Sequence, residues 1–140
     1  MIVIPAIDII GGRCVRLKKG DYNQIEQYDI DPVEQARVFQ SYGARYLHVI
    51  DLDGAKAGKP INFDIVNKIK KQTNIVIECG GGIRDIEAIS TYINAGIDYI
   101  ILGSIIFKNP KLIDRIFSVF GCDRFAAAVD FMDGFVKVSG

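Results

Sequence analysis

Hydrophobic and polar positions along this 140-residue chain define two kinds of segment that follow one another in turn. Segments of the first kind are short, β-branched and largely apolar, which is typical of strands buried on both faces of a parallel sheet. Five segments have this character: MIVIPAID, RYLHVID, NIVIEC, DYIILG and RFAAAVDF. The stretches between them have the spacing of amphipathic helices. The pattern predicts an α/β fold of four βα units and a fifth strand, with right-handed crossovers between parallel strands.

Residues that favour helix ends mark the predicted helices. Asp31 and Asn109 each precede a proline, which is typical of an N-cap followed by the first helical residue. Three glycines follow helical segments and suit left-handed C-terminal caps: Gly43, Gly96 and Gly121.

An internal repeat indicates how the chain is organised. The segments AIDIIGG (6–12) and AVDFMDG (128–134) each combine an apolar run that ends in an aspartate with a glycine four residues after that aspartate. Their separation of about 120 residues is half of the roughly 250 residues typical of a (β/α)8 TIM barrel. We therefore predict a single partial domain over 1–140. It contains the N-terminal half of such a barrel in 1–121 and the start of the second half in 122–140.

The composition excludes several classes of function. Lysine plus arginine and aspartate plus glutamate both number 17, so the net charge is zero and no basic surface for nucleic acid or membrane lipid is indicated. The apolar runs are too short for a transmembrane helix, and the N-terminus lacks the basic start of a signal peptide. We therefore expect a cytoplasmic protein. The three cysteines have no metal-ligand spacing, and we expect no metal site.

Two aspartates occupy the positions at which parallel α/β folds carry their reactive groups. Asp8 and Asp130 end the first and fifth predicted strands, and the repeat relates them. The carboxyl ends of barrel strands surround one mouth, where catalytic residues lie. Two carboxylates so placed can act as base and acid on one substrate if their environments separate their pKa values. We predict that Asp8 and Asp130 are catalytic.

Glycine-rich turns after the third and fourth strands predict a phosphate site. In ECGGGIRD, three consecutive glycines allow close approach of a ligand and direct backbone N–H groups towards an oxyanion. A helix that starts near Asp85 adds a positive dipole end, and LGS provides a second turn of small residues one strand later. Neither a dinucleotide fingerprint nor a P-loop motif is present. Four residues are predicted to bind the phosphate: Gly81, Gly82, Gly103 and Ser104.

The segment DLDGAKAGKPIN after the second strand is predicted to be a mobile binding loop, because it is rich in glycine and charge. Its candidate substrate-contacting residues are Asp51, Gly58 and Lys59, and Lys56 is a further cation suited to an anionic substrate. His48, the only histidine, lies within the second strand. A histidine in the hydrophobic core is the preferred interpretation, with a supporting role in an active site as the alternative.

Five motifs in register resemble one known family. They are IPAIDIIGGRCVRLKKGD, LHVIDLDGAKAGKPIN, ECGGGIRD, GSIIFKNP and AAAVDFMDG. These motifs are similar to those of the isomerases of histidine biosynthesis that act on phosphoribosylformimino-AICAR phosphate, the ProFAR isomerases. The resemblance covers the whole chain and corresponds to the N-terminal part of that family's sequence. It implies a (β/α)8 barrel of two repeated halves and a cofactor-free Amadori rearrangement of an aminoaldose to an aminoketose.

The resemblance also implies roles for individual residues. Asp8 corresponds to the family's base, Asp130 to its acid, and the two glycine turns to its first-half phosphate site. The implied partner is a bis-phosphorylated ribosyl small molecule, and neither nucleic acid nor membrane is involved. The family continues through strands six to eight, which supply the second phosphate site. We therefore expect this chain alone to be inactive or weakly active.

Two alternatives remain open. One is the cyclase subunit of imidazole glycerol phosphate synthase, a sister barrel with a similar pair of aspartates. That barrel is expected to have Cys-Leu-Asp at the first strand, and the Ala6-Ile7-Asp8 found here favours the isomerase. The other is a non-catalytic phosphate-binding α/β module with a complete, doubly wound sheet. For a half-barrel, unpaired sheet edges and bare apolar surface predict self-association as a homodimer or a larger assembly.

Overall fold

The structure, a computed structural model, describes residues 1–132 and 134–137 of the chain. Its strands are β1 (Ala6–Ile10), β2 (Arg13–Lys18), β3 (Asp21–Gln27), β4 (Tyr46–Asp51), β5 (Val76–Gly80), β6 (Tyr99–Leu102), β7 (Phe125–Ala127), β8 (Asp130–Met132) and β9 (Phe135–Lys137). Its helices are α1 (Pro32–Ser41), α2 (Leu52–Ala57), α3 (Phe63–Gln72), α4 (Ile86–Asn94), α5 (Ile105–Lys108) and α6 (Pro110–Phe120). None of these helices is both long and apolar enough to cross a membrane. The predicted segment 122–140 lies partly outside the described residues.

Seven strands of the described residues form one sheet in the order β3–β2–β1–β4–β5–β6–β7. β1, β4, β5, β6 and β7 are parallel neighbours and match the five strands that the apolar pattern predicts, which confirms the α/β class. β2 and β3 extend the sheet as antiparallel strands beside β1. In the register of the central strands, Ala6 lies beside His48, and His48 lies beside Glu78.

The hydrophobic core lies between one face of the sheet and the helices. Alternate residues of the parallel strands are buried there and meet one stripe from each longer helix. The central members of this core are Ile7, Ile9, Ala36, Leu47, Val49, Val66, Ile69, Ile77, Cys79, Ala88, Ile89, Tyr92, Ile100, Leu102 and Ile116. The intervening residues of β1, β4 and β5 lie on the opposite face, where Asp8, His48 and Glu78 are half-buried. We call the face that carries Asp8, His48 and Glu78 the open face.

The hydrophobic pattern did not predict the hairpin formed by β2 and β3. Its second strand, DYNQIEQ, is almost entirely exposed, so it lacks the apolar run that identified the other strands. A local signal is present in the turn, where Lys19 and Gly20 both have positive φ. The pairing that makes this segment a strand comes from β2, and hydropathy alone does not record it.

The structure divides the predicted fifth strand into two elements. β7 ends at Ala127, and Asp130 begins β8, which pairs with β9 in a separate two-stranded sheet. The two residues between them, Ala128 and Val129, are exposed. The prediction that Asp130 ends strand five is therefore wrong in detail. An apolar run in the sequence does not show where pairing with the neighbouring strand stops. Here the pairing of β7 with β6 ends at Ala127, before Asp130 is reached.

The predicted helix N-caps are confirmed, and two of the three predicted C-terminal glycine caps agree with the structure. The Asp31 carboxylate accepts hydrogen bonds from Val33 N and Glu34 N at 2.8 and 3.2 Å. Asn109 caps α6 by accepting from Leu112 N at 3.2 Å. Gly43 and Gly96 have the positive φ predicted for left-handed C-terminal caps. Gly121 also has positive φ, but its ψ of 178° is extended, so the predicted left-handed cap is wrong there.

Replacing Asp31 with alanine is expected to lower the free energy of unfolding by about 1 kcal/mol, because N–H groups in the first turn of α1 lose their acceptor. Asp31→Ser should keep this value within a few tenths of a kcal/mol. Asp29→Ala removes a nearby exposed carboxylate and is the matched control. Urea unfolding followed by circular dichroism measures all three variants. An equal loss in the Asp29 and Asp31 variants would contradict the cap.

Candidate functional site

A cavity of about 590 Å³ opens at the carboxyl ends of β5, β6 and β7. Both predicted glycine turns and one of the two predicted catalytic aspartates line it: Gly81, Gly82, Gly103, Ser104 and Asp130. Gly81 and Gly82 follow β5, whereas Gly103 and Ser104 follow β6. Parallel strands deliver their carboxyl ends to the same edge of a sheet, and this topology brings the separate turns together.

Asp8 lies on the open face of β1 and is not among the residues that line this cavity. It lines a second cavity of about 450 Å³, together with Arg16 and Tyr28. Burial raises the pKa of the Asp8 carboxyl, and the charge of His48 opposes this rise. A raised pKa makes a carboxylate a stronger base. Tyr22 lines the first cavity, and burial raises the pKa of its hydroxyl, with smaller contributions from the charges of Asp53 and Asp8.

The wall of the cavity depends on Asp51, which is completely buried. One carboxylate oxygen accepts from Gly54 N at 2.8 Å and from the Asn62 side-chain amide at 2.7 Å. The other accepts from Ile61 N at 2.7 Å and from Asn62 N at 2.8 Å. Asp51 was predicted as a candidate substrate-contacting residue. Its carboxylate instead faces the backbone of its own segment, because four donors occupy it.

The two glycines of the turn after β5, Gly81 and Gly82, pack closely against the backbone of the segment that follows β4. At Gly81, with φ of +104°, a Cβ would collide with the carbonyl oxygen of Asp51. At Gly82, with φ of +78°, it would lie 2.5 Å from Gly54 O and 2.6 Å from Lys59 O. These glycines are therefore required for the close approach of two connecting segments, in addition to any contact with a ligand.

The segment after β4 is not the loop that its composition predicted. Residues Leu52–Ala57 form α2, which ends at Gly58 with φ of +77°. Arg84 donates a hydrogen bond to Ala55 O at 2.9 Å, and its guanidinium lies against Gly58. Asp51 supplies a local N-cap, and the hydrogen bond from Arg84 adds long-range support, which together explain why a segment rich in glycine and charge becomes helical.

The charges around the cavity suit an anionic ligand. Lys56, Arg84 and Lys108 line it together with the two glycine turns. Lys56 Nζ lies 5.8 Å from the centre of the Tyr22 ring, which also lines the cavity. Lys59 is exposed and is not a lining residue. Small turns beside cations are a combination able to hold a phosphate group.

Comparison with known proteins adds the decisive observation. The sequence model of a family described as histidine biosynthesis protein matches residues 2–140. The chain belongs to the histidine biosynthesis protein family.

Curated relatives of this histidine biosynthesis protein share one name, 1-(5-phosphoribosyl)-5-((5-phosphoribosylamino)methylideneamino)imidazole-4-carboxamide isomerase, that is, ProFAR isomerase. The relative from Caldicellulosiruptor saccharolyticus is 59% identical over 140 residues. Those from Caldicellulosiruptor bescii and Halothermothrix orenii are 56% and 44% identical. Each alignment covers 100% of this chain and 59% of the relative, so the chain spans little more than half of their length.

Three residues that shape the site were not selected as site residues from the sequence. Asp53 accepts hydrogen bonds from Gly11 N at 2.7 Å and from the Asn62 amide at 2.9 Å, and so joins the turn after β1 to α2. Tyr22 donates to Leu52 O at 3.1 Å and holds the β2–β3 hairpin against the same helix. Arg84, described above, is the third. The Asp51-x-Asp53 spacing is a signal that could have identified Asp53.

His48 does not lie in the hydrophobic core, which was the preferred interpretation from sequence. It lies on the open face with 33% of its side chain exposed, and its Nδ1 is 2.5 Å from Glu78 Oε1. His48 shares its face of β4 with Tyr46 and Ile50. Which face the helices cover was the missing information, and only the packing of α1 and α3 decides it.

Gly82→Ala is expected to lower the free energy of unfolding by more than about 2 kcal/mol, because strain at positive φ adds to contact with two carbonyl oxygens. Gly103→Ala is the matched control, since among the described residues no atom beyond its chain neighbours lies within 4 Å of its added Cβ and its φ is not left-handed. It should change stability by less than about 0.5 kcal/mol. Urea unfolding compares the two variants. Equal losses would contradict the close approach at Gly82.

Proposed function

We propose that this chain carries the Asp8 and Asp130 part of an aldose–ketose isomerase site that acts on a bis-phosphorylated ribosyl substrate without a cofactor. The observation that carries the proposal is the single cavity shared by both glycine turns and Asp130. The relatives named ProFAR isomerase supply the reaction. Their shared name favours the isomerase over the cyclase and over a phosphate-binding module.

The proposed reaction moves protons between the substrate and two carboxyl groups. Asp130, as the acid, donates a proton to the ribose ring oxygen, and the ring C–O bond breaks to leave a Schiff base. Asp8, as the base, removes the proton from the adjacent carbon, and the electron pair moves to form an enolamine. The enolamine then relaxes to the ketone. Burial supports Asp8 as the base, because the raised pKa of its carboxyl favours proton capture.

In this proposal the two glycine turns bind one phosphate of the substrate. Gly82 and Gly103 each follow a parallel strand at the cavity, which suits backbone N–H donation to phosphate oxygens. The phosphate positions the ribosyl group over the open face, where Asp8 lies. Binding energy at a non-reacting phosphate lowers the entropic barrier by orienting the reacting carbon.

We further propose that the described sheet is the first half of a (β/α)8 barrel, with residues 1–121 as one half and 122–140 as the start of the next. Five parallel strands in sequential order support this arrangement. Asp130 is exposed, and Asp8, His48 and Glu78 are only half-buried. Electrostatic catalysis needs a site from which water is excluded. The 140-residue chain by itself should therefore turn over its substrate weakly or not at all.

The first test uses a chimera in which these 140 residues replace the matching segment of the Caldicellulosiruptor saccharolyticus relative. The chimera should convert ProFAR to its ribulosyl isomer. Asp8→Asn and Asp130→Asn are each expected to lower kcat by about 10²–10⁴-fold and to change KM much less, since each removes a proton-transfer group. Steady-state turnover of ProFAR measures this effect.

The control is Asp29→Asn, which changes an exposed carboxylate other than Asp8 and Asp130. Its kcat should stay within about two-fold of that of the chimera. A folded chimera without isomerase turnover would contradict the proposed function. Ammonia-dependent cyclisation in its place would favour the cyclase. If either aspartate variant retained nearly full kcat, that residue's role would be wrong.

The second test concerns self-association. We propose that it occurs through the outer edge of β7, the last strand of the seven-stranded sheet, and through the β8–β9 hairpin. Phe131 and Phe135 of this hairpin are 69% and 77% exposed, and such apolar surface favours burial against a second copy. Sedimentation of the chain at micromolar concentration should give a dimer or a larger species. Phe131→Lys should shift it towards monomer, whereas Val119→Lys on the outer surface of α6 should not. A well-folded monomer before substitution would contradict the proposal.

A further inference from the structure

The proposed reaction leaves one pair of polar residues on the open face without a role. His48 Nδ1 and Glu78 Oε1 are 2.5 Å apart, and about a third of each side chain is exposed. The two residues are direct neighbours across β4 and β5. A polar pair that water can reach contributes little to stability, so stability alone does not explain its presence beside a proposed base.

The chemistry of the pair dictates which imidazole nitrogen carries a proton. An ionised glutamate has only acceptors, so Nδ1 of His48 must bear the hydrogen of this bond. The contact therefore fixes both the tautomer and the orientation of the ring. Nε2 is left on the side of the ring away from Glu78.

The strand on that side of β4 is β1. Ala6 is the register partner of His48 there, and its side chain is a single methyl group. Asp8 follows on the same face of β1. Burial raises the pKa of the Asp8 carboxyl, and the charge of His48 partly offsets that rise. Glu78 is thus the direct cross-strand neighbour of His48, and Asp8, whose register partner is Ile50, lies diagonally from His48 on the same face.

We propose that Glu78 is a positioning residue for Asp8 and acts through His48. This inference rests on the proposed function, since it assigns Asp8 as the base. A base alternates between a carboxylate and a carboxylic acid during turnover. A ring held at Nδ1 can serve both forms through Nε2: a protonated Nε2 donates to the carboxylate, and a neutral Nε2 accepts from the acid. Without Glu78 the ring is free to rotate or change tautomer, and this match is lost.

The first arm of the test reads the tautomer directly in the 140-residue chain. His48 is the only histidine, so its ring nitrogens give unambiguous ¹⁵N signals. At a pH where the ring is neutral, the chain should show the Nδ1–H tautomer. Glu78→Gln has the same shape but an amide that can donate as well as accept, so the Nε2–H tautomer should gain population. Glu87→Gln, at an exposed position on α4, should leave the tautomer unchanged.

The second arm measures turnover by the chimera described above. Glu78→Gln should lower kcat about 10-fold and leave KM within about two-fold, because an outer partner orients a reacting group without touching substrate. Its melting temperature should match that of the chimera. The control Glu87→Gln should leave kcat, KM and the melting temperature of the chimera unchanged. A purely structural ion pair would not separate kcat from stability in this way.

Each result decides the inference. An Nε2–H tautomer in the unsubstituted chain, or an unchanged tautomer in Glu78→Gln, overturns it whatever the chimera does. An active chimera that keeps its kcat with Glu78→Gln also overturns it and leaves the proposed function standing. Loss of the Nδ1–H tautomer together with the selective fall in kcat supports it. A folded but inactive parent chimera counts against the proposed function, and the positioning role falls with it.

Discussion

The buried carboxylate of Asp51 is the interaction on which the site depends. It is fully excluded from solvent, and four hydrogen bonds from Gly54, Ile61 and Asn62 compensate for the loss of water. Hydrogen bonds to a charged group are stronger than neutral ones, and a buried carboxylate left without them would be strongly destabilising. The segment between β4 and α3 is therefore held in one conformation. Its main chain then forms the surface against which Gly81 packs.

This constraint couples the fold to the candidate phosphate site. Gly81 and Gly82 are confined by the carbonyl groups of the Asp51 segment, so the turn that faces the cavity has little freedom to move. Asp53 extends the same network to Gly11 in the turn after β1. Three connections that are distant in sequence are in this way fixed relative to one another. A site made of backbone N–H groups requires such fixed positions, because its donors cannot adjust as flexible side chains do.

The two faces of the sheet have different roles, because one packs the hydrophobic core and the other carries the polar groups of the proposed site. The helix-covered face is apolar and close-packed, and it carries the hydrophobic core. The open face carries Asp8, His48 and Glu78, whose polar groups remain half-buried. A residue there can be exchanged without opening a cavity in the core, whereas partial burial still raises the pKa of the Asp8 carboxyl. Because successive side chains of a strand point to opposite faces, different residues of the same strands supply the core and the polar groups.

Local chemistry by itself determined the α/β class, the five parallel strands and the capped helix ends at Asp31 and Asn109, because periodicity and caps act over a few residues. It also selected the glycine turns and Asp130, which do share one cavity. Tertiary structure decided the rest. The hairpin of β2 and β3 depends on cross-strand pairing, and the end of β7 and the helix α2 depend on partners distant in sequence. So does the placement of His48 on the open face, since strand alternation gives two faces and only helix packing chooses which one is buried.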